Sequence, residues 1–574
     1  MRAQLLLFAA AALAPCRALD NGVGRTPASG WSSWNTFSDN VSAAAVMATA
    51  DAMVLHGLDE LGYTYVGIDC GWSLPTRAAN GDLRPNPAAF PDGILPVAEY
   101  VRSRGRGLLR LGLYSEHATE DCCGGPGMRG FEDQDARFFA ANGVEYLKVD
   151  SCKGHDDDPA TQYGDFSRIR DALNRTGSRI YLNVCPTIKA PRAALPCRTW
   201  DNVYTPLGFA QAGLDVRGLA NSYLVEYCNN NNNFATLLSI VDAQHALASD
   251  SWSAPGSWID MDMLTVGCND NPIPGTPCTT GVALTLDEQA SQMSLWCVFA
   301  SNLMLGSDLR VVSNATLSII ANAEALAVNR DAAGAHGRLV FDSAPAAAAP
   351  PPARGVAIAP CDGGGPQRWT FPADGSVLSA GGECLDVWDC GTANGTLVDL
   401  FACHVGTPAC GDARRSPNQV FALDAAGRLL SALGSNLCLD IWKGAGPAVD
   451  LWQCHPAGAN SNQLWAYHAA NATLESVGSP GWCLTAPSPP PPRFQVYAKP
   501  LASGARAVAV FNRGQAAVDA AFRWQDIALG GGVWARATVR DLWAHADLGA
   551  FDGGYTVAGL RPHATALLLV ASAA

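Results

Sequence analysis

Charge is scarce in this chain. Only 16% of its 574 residues are Asp, Glu, Lys or Arg, and the 52 acids outnumber the 38 bases. A formal net charge of −14 leaves no basic footprint for nucleic acid or for an anionic membrane face, so neither is expected as a partner. Long apolar runs are missing beyond residue 18, which excludes a later membrane span. Residues 1–18 run Met-Arg, a Leu/Ala-rich core, then Pro15-Cys16-Arg17-Ala18, and read as a cleaved signal peptide. Its loss removes Arg2 and Arg17 and takes the charge from −14 to −16. No His/Cys cluster has zinc-finger spacing, even beside the adjacent Cys122 and Cys123, so neither a structural metal nor a cofactor is expected. Cysteine itself is plentiful. Of 19, Cys16 leaves with the leader, and the others in a secretory chain read as disulfides, with Cys268/Cys278 and Cys438/Cys454 spaced for local loops. Asn-x-Ser/Thr tripeptides at Asn40, Asn174, Asn314, Asn394 and Asn471 agree with a glycosylating route, secreted or lysosomal/vacuolar.

With 57 Gly and 36 Pro, the chain reads as several globular domains. The first is organised around residues 144–152, VEYLKVDSC, an apolar strand that ends on Lys148 and Asp150. Similar stretches are GWSSWNTF (30–37), Tyr63 to Trp72, Gly107 to Glu116, Arg179 to Val184, Ser222 to Tyr227, Ser257 to Asp262 and Asn302 to Asp308, with helical stretches such as Val41 to Gly57 between them. Eight strands alternating with helices imply an α/β fold, a parallel (β/α)8 TIM barrel. In such a barrel the C-terminal strand ends meet in one mouth. The residues brought there are Trp34, Asp69, Tyr114, Glu116, Lys148, Asp150, Glu226, Asp260 and Asp262. Aromatic faces beside carboxylates suit a sugar, whose C–H faces stack while its hydroxyls donate. A pair of carboxylates flanking a glycosidic bond is what its hydrolysis requires. Asp150 reads as nucleophile or base, with Lys148 as its electrostatic partner.

The strings GWSSWNTF, YVGIDCGW, GLYSE, YLKVDSC, SWIDMDML and the helix at 285–310 resemble the α-galactosidase/melibiase family, glycoside hydrolase family 27, over residues 30–340 and again from 493. The resemblance implies that Asp150 is the nucleophile of a retaining double displacement with Lys148 its neighbour, that Trp34, Asp69 and Tyr114 line a galactose pocket, and that Cys122 and Cys152 form a disulfide behind the nucleophile. Asp262 and Cys70 belong to the same substrate-binding set. Two departures stand out. Many members carry two adjacent aspartates where this chain has Asp69-Cys70. In the sixth strand, the family's Trp-Arg with an Asp acid/base four residues on is replaced by NSYLVEYCNNNNNF (221–234), which puts Cys228 or Asn229 at that place. Glu226 is the nearest carboxylate, on the face of Leu224 by strand alternation. Either Glu226 serves as acid/base, or the barrel binds galactosides without efficient turnover. The stretch Cys185-Pro186-Thr187-Ile188-Lys189 departs from the loop that reads the sugar's 2-substituent, which leaves N-acetylgalactosamine and β-arabinopyranose open beside galactose. The likeness also leaves a homodimer open.

Pro-rich runs at 344–354 and 486–493 bracket a segment of different character. Within it Gln367-Arg368-Trp369, Gln419-Val420-Phe421 and Gln463-Leu464-Trp465 recur, as do Cys384-Leu385-Asp386, Cys438-Leu439-Asp440 and Cys483-Leu484-Thr485. Three units imply a β-trefoil, and the residues resemble the ricin-type lectin module. That likeness implies one sugar site at Asp386, Phe401 and Asn418 and another at Asp440, Trp452 and Asn462, with Thr485 silencing the third. Disulfides are expected at Cys361–Cys483, Cys384–Cys403 and Cys438–Cys454. The last segment alternates apolar and polar residues in short runs and reads as an antiparallel β-sandwich. The expected organisation is thus a signal peptide (1–18), a catalytic barrel (19–342), an inserted lectin module (355–486) and a C-terminal sandwich (493–574).

Overall fold

A computed structural model describes residues 18–154, 157–186, 209, 214–224, 233–247, 253–279, 283–343, 355–387, 390–401, 403, 417–434, 436–444, 447–456, 460–486, 493–529, 532 and 534–573. The chain forms two compact units, one of residues 1–343 with 492–574, the other of residues 344–491. No helix among the described residues is long and apolar enough to cross a membrane.

The first unit is built on eight parallel strands: β1 (Ser29–Ser32), β2 (Tyr65–Gly67), β3 (Arg110–Glu116), β4 (Val144–Asp150), β5 (Tyr181–Val184), β6 (Ser222–Leu224), β7 (Trp258–Asp260) and β8 (Leu303–Leu305). They hydrogen-bond in the order β7-β6-β5-β4-β3-β2-β1-β8. The ring closes just past β7, where Leu264 donates to Met304 O (2.8 Å) and accepts from Gly306 N (2.9 Å). The bore is filled rather than hollow. Tyr65 and Tyr146 (5.1 Å between ring centroids) and Tyr146 and Tyr181 (5.5 Å) pack inside it with Met263 and Met304.

The strands are shorter than the apolar runs that announce them, because the apolar pattern continues where the chain leaves the ladder. The difference is largest at GWSSWNTF: β1 stops at Ser32, and Trp34–Phe37 is a helical turn. Thr36 there is buried and donates to Gly306 O (2.7 Å), which turns the segment over the mouth instead of along the sheet. Helix Leu286–Val298 begins with a capping box in which Thr285 and Glu288 satisfy each other's backbone amides.

The second unit holds twelve short strands among its described residues, β10 (Ala357–Pro360) to β21 (Trp482–Thr485), including β13 (Cys384–Val387), β14 (Thr396–Phe401), β17 (Leu437–Ile441) and β18 (Val449–Gln453). Its core gathers Trp369, Phe421 and Trp465, the aromatic residues of the three Gln-x-aromatic repeats. Its ends meet, since β10 pairs antiparallel with β21 and Cys361 is joined to Cys483.

The remaining strands are β22 (Phe494–Pro500), β23 (Arg506–Asn512), β24 (Val518–Arg523), β25 (Arg536–Asp541), β26 (Ala546–Asp552), β27 (Gly554–Leu560) and β28 (Thr565–Ser572). They form an antiparallel sandwich, one sheet ordered β26-β25-β28-β23-β22-β9 and the other β24-β27, where β9 (Arg338–Asp342) comes from the end of the barrel segment. The sandwich is bonded to the barrel's helices. Arg540 pairs with Glu324 (2.7 Å), Trp543 Nε1 donates to Ser294 Oγ (3.0 Å) and Thr565 Oγ1 donates to Ser291 Oγ (2.8 Å).

Candidate active site

Each polar group of the barrel mouth comes from a C-terminal strand end, the place where a parallel barrel exposes side chains without breaking its ladder. Asp69 lies two residues past β2, Tyr114 and Glu116 lie on β3, Lys148 and Asp150 end β4, Asp260 ends β7 and Asp262 follows it. One cavity is lined by Trp34, Asp69, Cys70, Tyr114, Cys122, Lys148, Asp150 and Asp262, and a second, sharing Asp69, Lys148 and Asp262, extends toward Asn183, Cys185 and Leu224. The structure thus gathers Trp34, Asp69, Cys70, Tyr114, Lys148, Asp150 and Asp262 around one opening. Glu226, Cys228 and Asn229 lie outside the described residues.

Asp150 is 2% exposed and fixed at both oxygens: the Ser151 amide donates to Oδ1 (2.9 Å) and the Tyr114 hydroxyl to Oδ2 (3.2 Å). Lys148 Nζ stands 4.0 Å from Asp150 Oδ2 and 3.0 Å from Asp69 Oδ2. Burial pushes the Asp150 carboxyl above its ordinary range, while Lys148, the Ser151 amide and the Tyr114 hydroxyl pull it back toward the ionised form. Burial alone would favour neutral Lys148, but Asp69 and Asp150 outweigh it and hold the ammonium charged. The result is a buried carboxylate with a fixed cation beside it, a nucleophile's electrostatic setting.

Behind Asp150, Cys122 is joined to Cys152 and Cys70 to Cys123, the latter pairing one that spacing left open. Cys122 Sγ lies 3.7 Å from Asp150 Oδ2. The Cys152 amide donates to Glu116 Oε2 (2.8 Å), and Glu116 is neighbour to Asp150 across β3 and β4. Deeper still, His117 Nδ1 lies 3.0 Å from Asp165 Oδ2. Sequence reasoning missed His117, Asn183 and Asn302. The signal for the first is a Glu-His pair directly at the strand end, while the two asparagines, which donate to Asp260 Oδ2 at 2.6 and 3.0 Å, look like ordinary strand residues. Cys185 and Cys297 are buried and unpaired.

Two groups of metal-ligating atoms occur among the described residues, Glu116/Cys122/Cys152 and His117/Asp157/Asp165. In the first, both sulfurs are spent in a disulfide; in the second, Arg129 pairs with both aspartates. Neither presents an open ligand set.

In the second unit, Asn418 Nδ2 (2.9 Å) and Gln419 Nε2 (2.8 Å) converge on Asp386 Oδ2, and Phe401 ends β14, the strand paired with β13. Burial pushes the Asp386 carboxyl up to about 6. Asp440 faces Asp450 across β17 and β18, Trp452 is exposed on β18, and Asn462 sits in the turn Ser461–Gln463. The structure joins Cys384 to Cys403 and Cys438 to Cys454.

Family profiles match three stretches of the chain: residues 26–331 to α-galactosidase A, residues 492–570 to the α-galactosidase C-terminal β-sandwich domain, and residues 405–506 to the ricin-type β-trefoil lectin domain. Among curated proteins, the chain is similar to α-galactosidase 3 of Arabidopsis thaliana, 34% identical over 328 residues that cover 56% of this chain and 64% of that protein. It is likewise similar to the α-galactosidase of Cyamopsis tetragonoloba, 34% identical over 322 residues, 56% of this chain and 68% of the other. The matched region therefore spans roughly two thirds of the length of these relatives. Among solved structures, α-galactosidase I from Mortierella vinacea superposes with a TM-score of 0.60 at 21% identity, covering 97% of this chain and 99% of that one, which shows a shared fold.

Proposed function

The chain belongs to the α-galactosidase A family, and from that premise we propose that it is a retaining exo-glycosidase releasing terminal α-D-galactosyl residues, with a lectin unit that holds galactosides. The observation that carries the reading is Asp150, buried at the barrel mouth, fixed by Tyr114 and Ser151 and set beside the Lys148–Asp69 pair. A carboxylate so placed attacks the anomeric carbon and forms a galactosyl ester, which water then opens. Trp34 and Tyr114 give the sugar ring aromatic surface, and Asp69, Lys148 and Asp262 meet its hydroxyls. The lectin unit raises the local concentration of galactoside through Asp386, Phe401 and Asn418 and through Asp440, Trp452 and Asn462. Disulfides such as Cys122–Cys152 and Cys361–Cys483 fit an oxidising compartment, secreted or lysosomal/vacuolar.

The test is release of nitrophenol from p-nitrophenyl α-galactoside by the purified full chain, beside Asp150→Asn, with retention on immobilised galactose measured for Asp150→Asn and for Asp150→Asn carrying Asp386→Ala and Asp440→Ala. Turnover lost with Asp150→Asn, and column retention lost only with the two lectin substitutions, supports both halves of the reading. Retention without any native turnover makes the protein a galactoside-binding one built on a glycosidase scaffold. Turnover confined to α-N-acetylgalactosaminide or β-arabinopyranoside changes the sugar and keeps the chemistry.

A further inference from the structure

Hydrolysis through a galactosyl ester needs a second carboxyl, one that gives the leaving oxygen a proton and later takes one from water. The residues after Leu224 leave the family's place for that group without an aspartate. Among the described residues, four aspartates line the cavities of the mouth, and three of them are committed. Asp150 is the proposed nucleophile. Asp69 is tied to Lys148 through Oδ2 and to the Cys70 amide through Oδ1 (3.0 Å). Asp260 is buried and holds Asn183 and Asn302 through one oxygen and the Asp262 amide (2.9 Å) through the other.

Asp262 differs from all three. Its backbone lies at φ 66°, a left-handed conformation that a β-carbon disfavours and that turns the chain sharply out of β7. That turn is anchored on three sides. Its amide donates to Asp260 Oδ1 (2.9 Å), its carbonyl accepts from Trp296 Nε1 (3.0 Å), and its Oδ1 accepts from the Met263 amide (2.7 Å). Among the described residues its Oδ2 has no hydrogen-bond partner, and the side chain lines the same cavity as Asp150, Trp34 and Tyr114. A rigidly held carboxyl with one oxygen unassigned, facing the nucleophile's cavity, is the form a proton donor takes.

We propose that Asp262 is the general acid and base of the glycosidase reaction, an assignment that rests on the glycosidase reading above. In the first step an Asp150 oxygen bonds to the anomeric carbon as the bond to the leaving oxygen breaks. The electron pair stays on that oxygen, which takes the proton of Asp262 Oδ2. In the second step the Asp262 carboxylate takes a proton from water, the water oxygen bonds to the anomeric carbon, and the ester bond returns its electron pair to Asp150. Burial agrees with these roles: it pushes the Asp262 carboxyl up to about 7, against the pull of Lys148, which keeps it protonated in mildly acidic solution.

The experiment compares Asp262→Asn, Asp262→Gly and Glu226→Gln in the full chain, on melibiose, whose leaving sugar needs a proton, and on 2,4-dinitrophenyl α-galactoside, whose leaving group does not, each with and without azide. Glycine suits the left-handed backbone and guards against misfolding. For both Asp262 variants, melibiose hydrolysis is expected to fall by roughly 10²- to 10⁴-fold. Dinitrophenol release should survive and be raised by azide, with α-galactosyl azide as product. Equal loss on both substrates without azide product makes Asp262 a sugar contact only and overturns the assignment, as does the azide pattern appearing in Glu226→Gln instead. A native chain that turns over neither substrate overturns the glycosidase reading and this assignment with it. Native turnover that Asp150→Asn removes keeps the reading whatever Asp262 does.

Discussion

Glu116 Oε1 and His117 Nε2 face each other across 3.7 Å, both fully buried and neither with a hydrogen-bond partner among the described residues. On the other side of the ring, His117 Nδ1 lies 3.0 Å from Asp165 Oδ2. Burial, then the charge of Asp150, drive the Glu116 carboxyl well above the carboxylate range, which favours its neutral form. A neutral Glu116 adds no second negative charge beside Asp150.

Glutamine copies that neutral group. Glu116→Gln keeps the shape of the side chain and an acceptor for the Cys152 amide, and its thermal midpoint is expected to stay close to that of the native chain. Glu116→Ala removes the carboxyl that accepts from the Cys152 amide and opens a cavity beside His117, and is expected to cost about 2–4 kcal/mol. Melting both variants by circular dichroism decides the matter, because equal losses would mean that the carboxylate is charged.

Gly154 is set by the same ring. A β-carbon there would stand 2.2 Å from His117 Nε2, too close for either atom to remain in place. Gly154→Ala is expected to destabilise the fold by about 1–3 kcal/mol and to lower turnover by displacing the loop that follows Asp150. Since the clash needs the imidazole, Gly154→Ala combined with His117→Ala should cost less than the two single changes added together. A double-mutant cycle in urea measures it, and strict additivity would place the strain elsewhere.

His336 limits stability in acid. It is 5% exposed, packed on Phe299 with Nε2 2.8 Å from the Gln244 amide, and burial, then Lys499, push its pKa from 6.5 down to about 3. The depressed value means that the folded chain refuses a proton the unfolded chain accepts. Its contribution is full above pH 6.5 and is lost progressively as pH falls toward about 3, amounting to a few kcal/mol at the lower end. His336→Gln should flatten that part of the stability curve. Urea midpoints at pH 7 and pH 4 for both chains test this, and an unchanged difference between the two pH values would count against it.

Much of this architecture is legible in the residues because a parallel barrel repeats one instruction eight times, an apolar run ending in a polar group. The run around Asp150 announces its strand, its direction and its carboxylate together, and so do the runs ending at Asp69 and Asp262. Trp34 shows the limit: its aromatic neighbours read as strand, whereas buried Asn35 and Thr36 make a turn across the mouth, a tertiary demand with no local periodicity. Pairing of Cys70 with Cys123 was likewise invisible, since it depends on where two loops return. His117 escaped for a related reason. Its role exists only once β3 and β4 lie side by side and the helix carrying Asp165 packs beneath them.

Along the chain, the second unit is inserted between two adjacent strands that a hairpin turn could have joined. Strand β9 ends at Asp342 and β22 begins at Phe494, and the two are antiparallel neighbours: Asp342 pairs with Gln495, and the Ser343 amide reaches Phe494 O at 3.0 Å. An unstructured loop of that length would add conformational freedom that folding must remove. Here β10 and β21 bring the ends of the segment together on their own account. The closure of the host strands is therefore not charged with the full length of the segment between them, and this point in the sequence can accept a folded unit whose termini lie side by side.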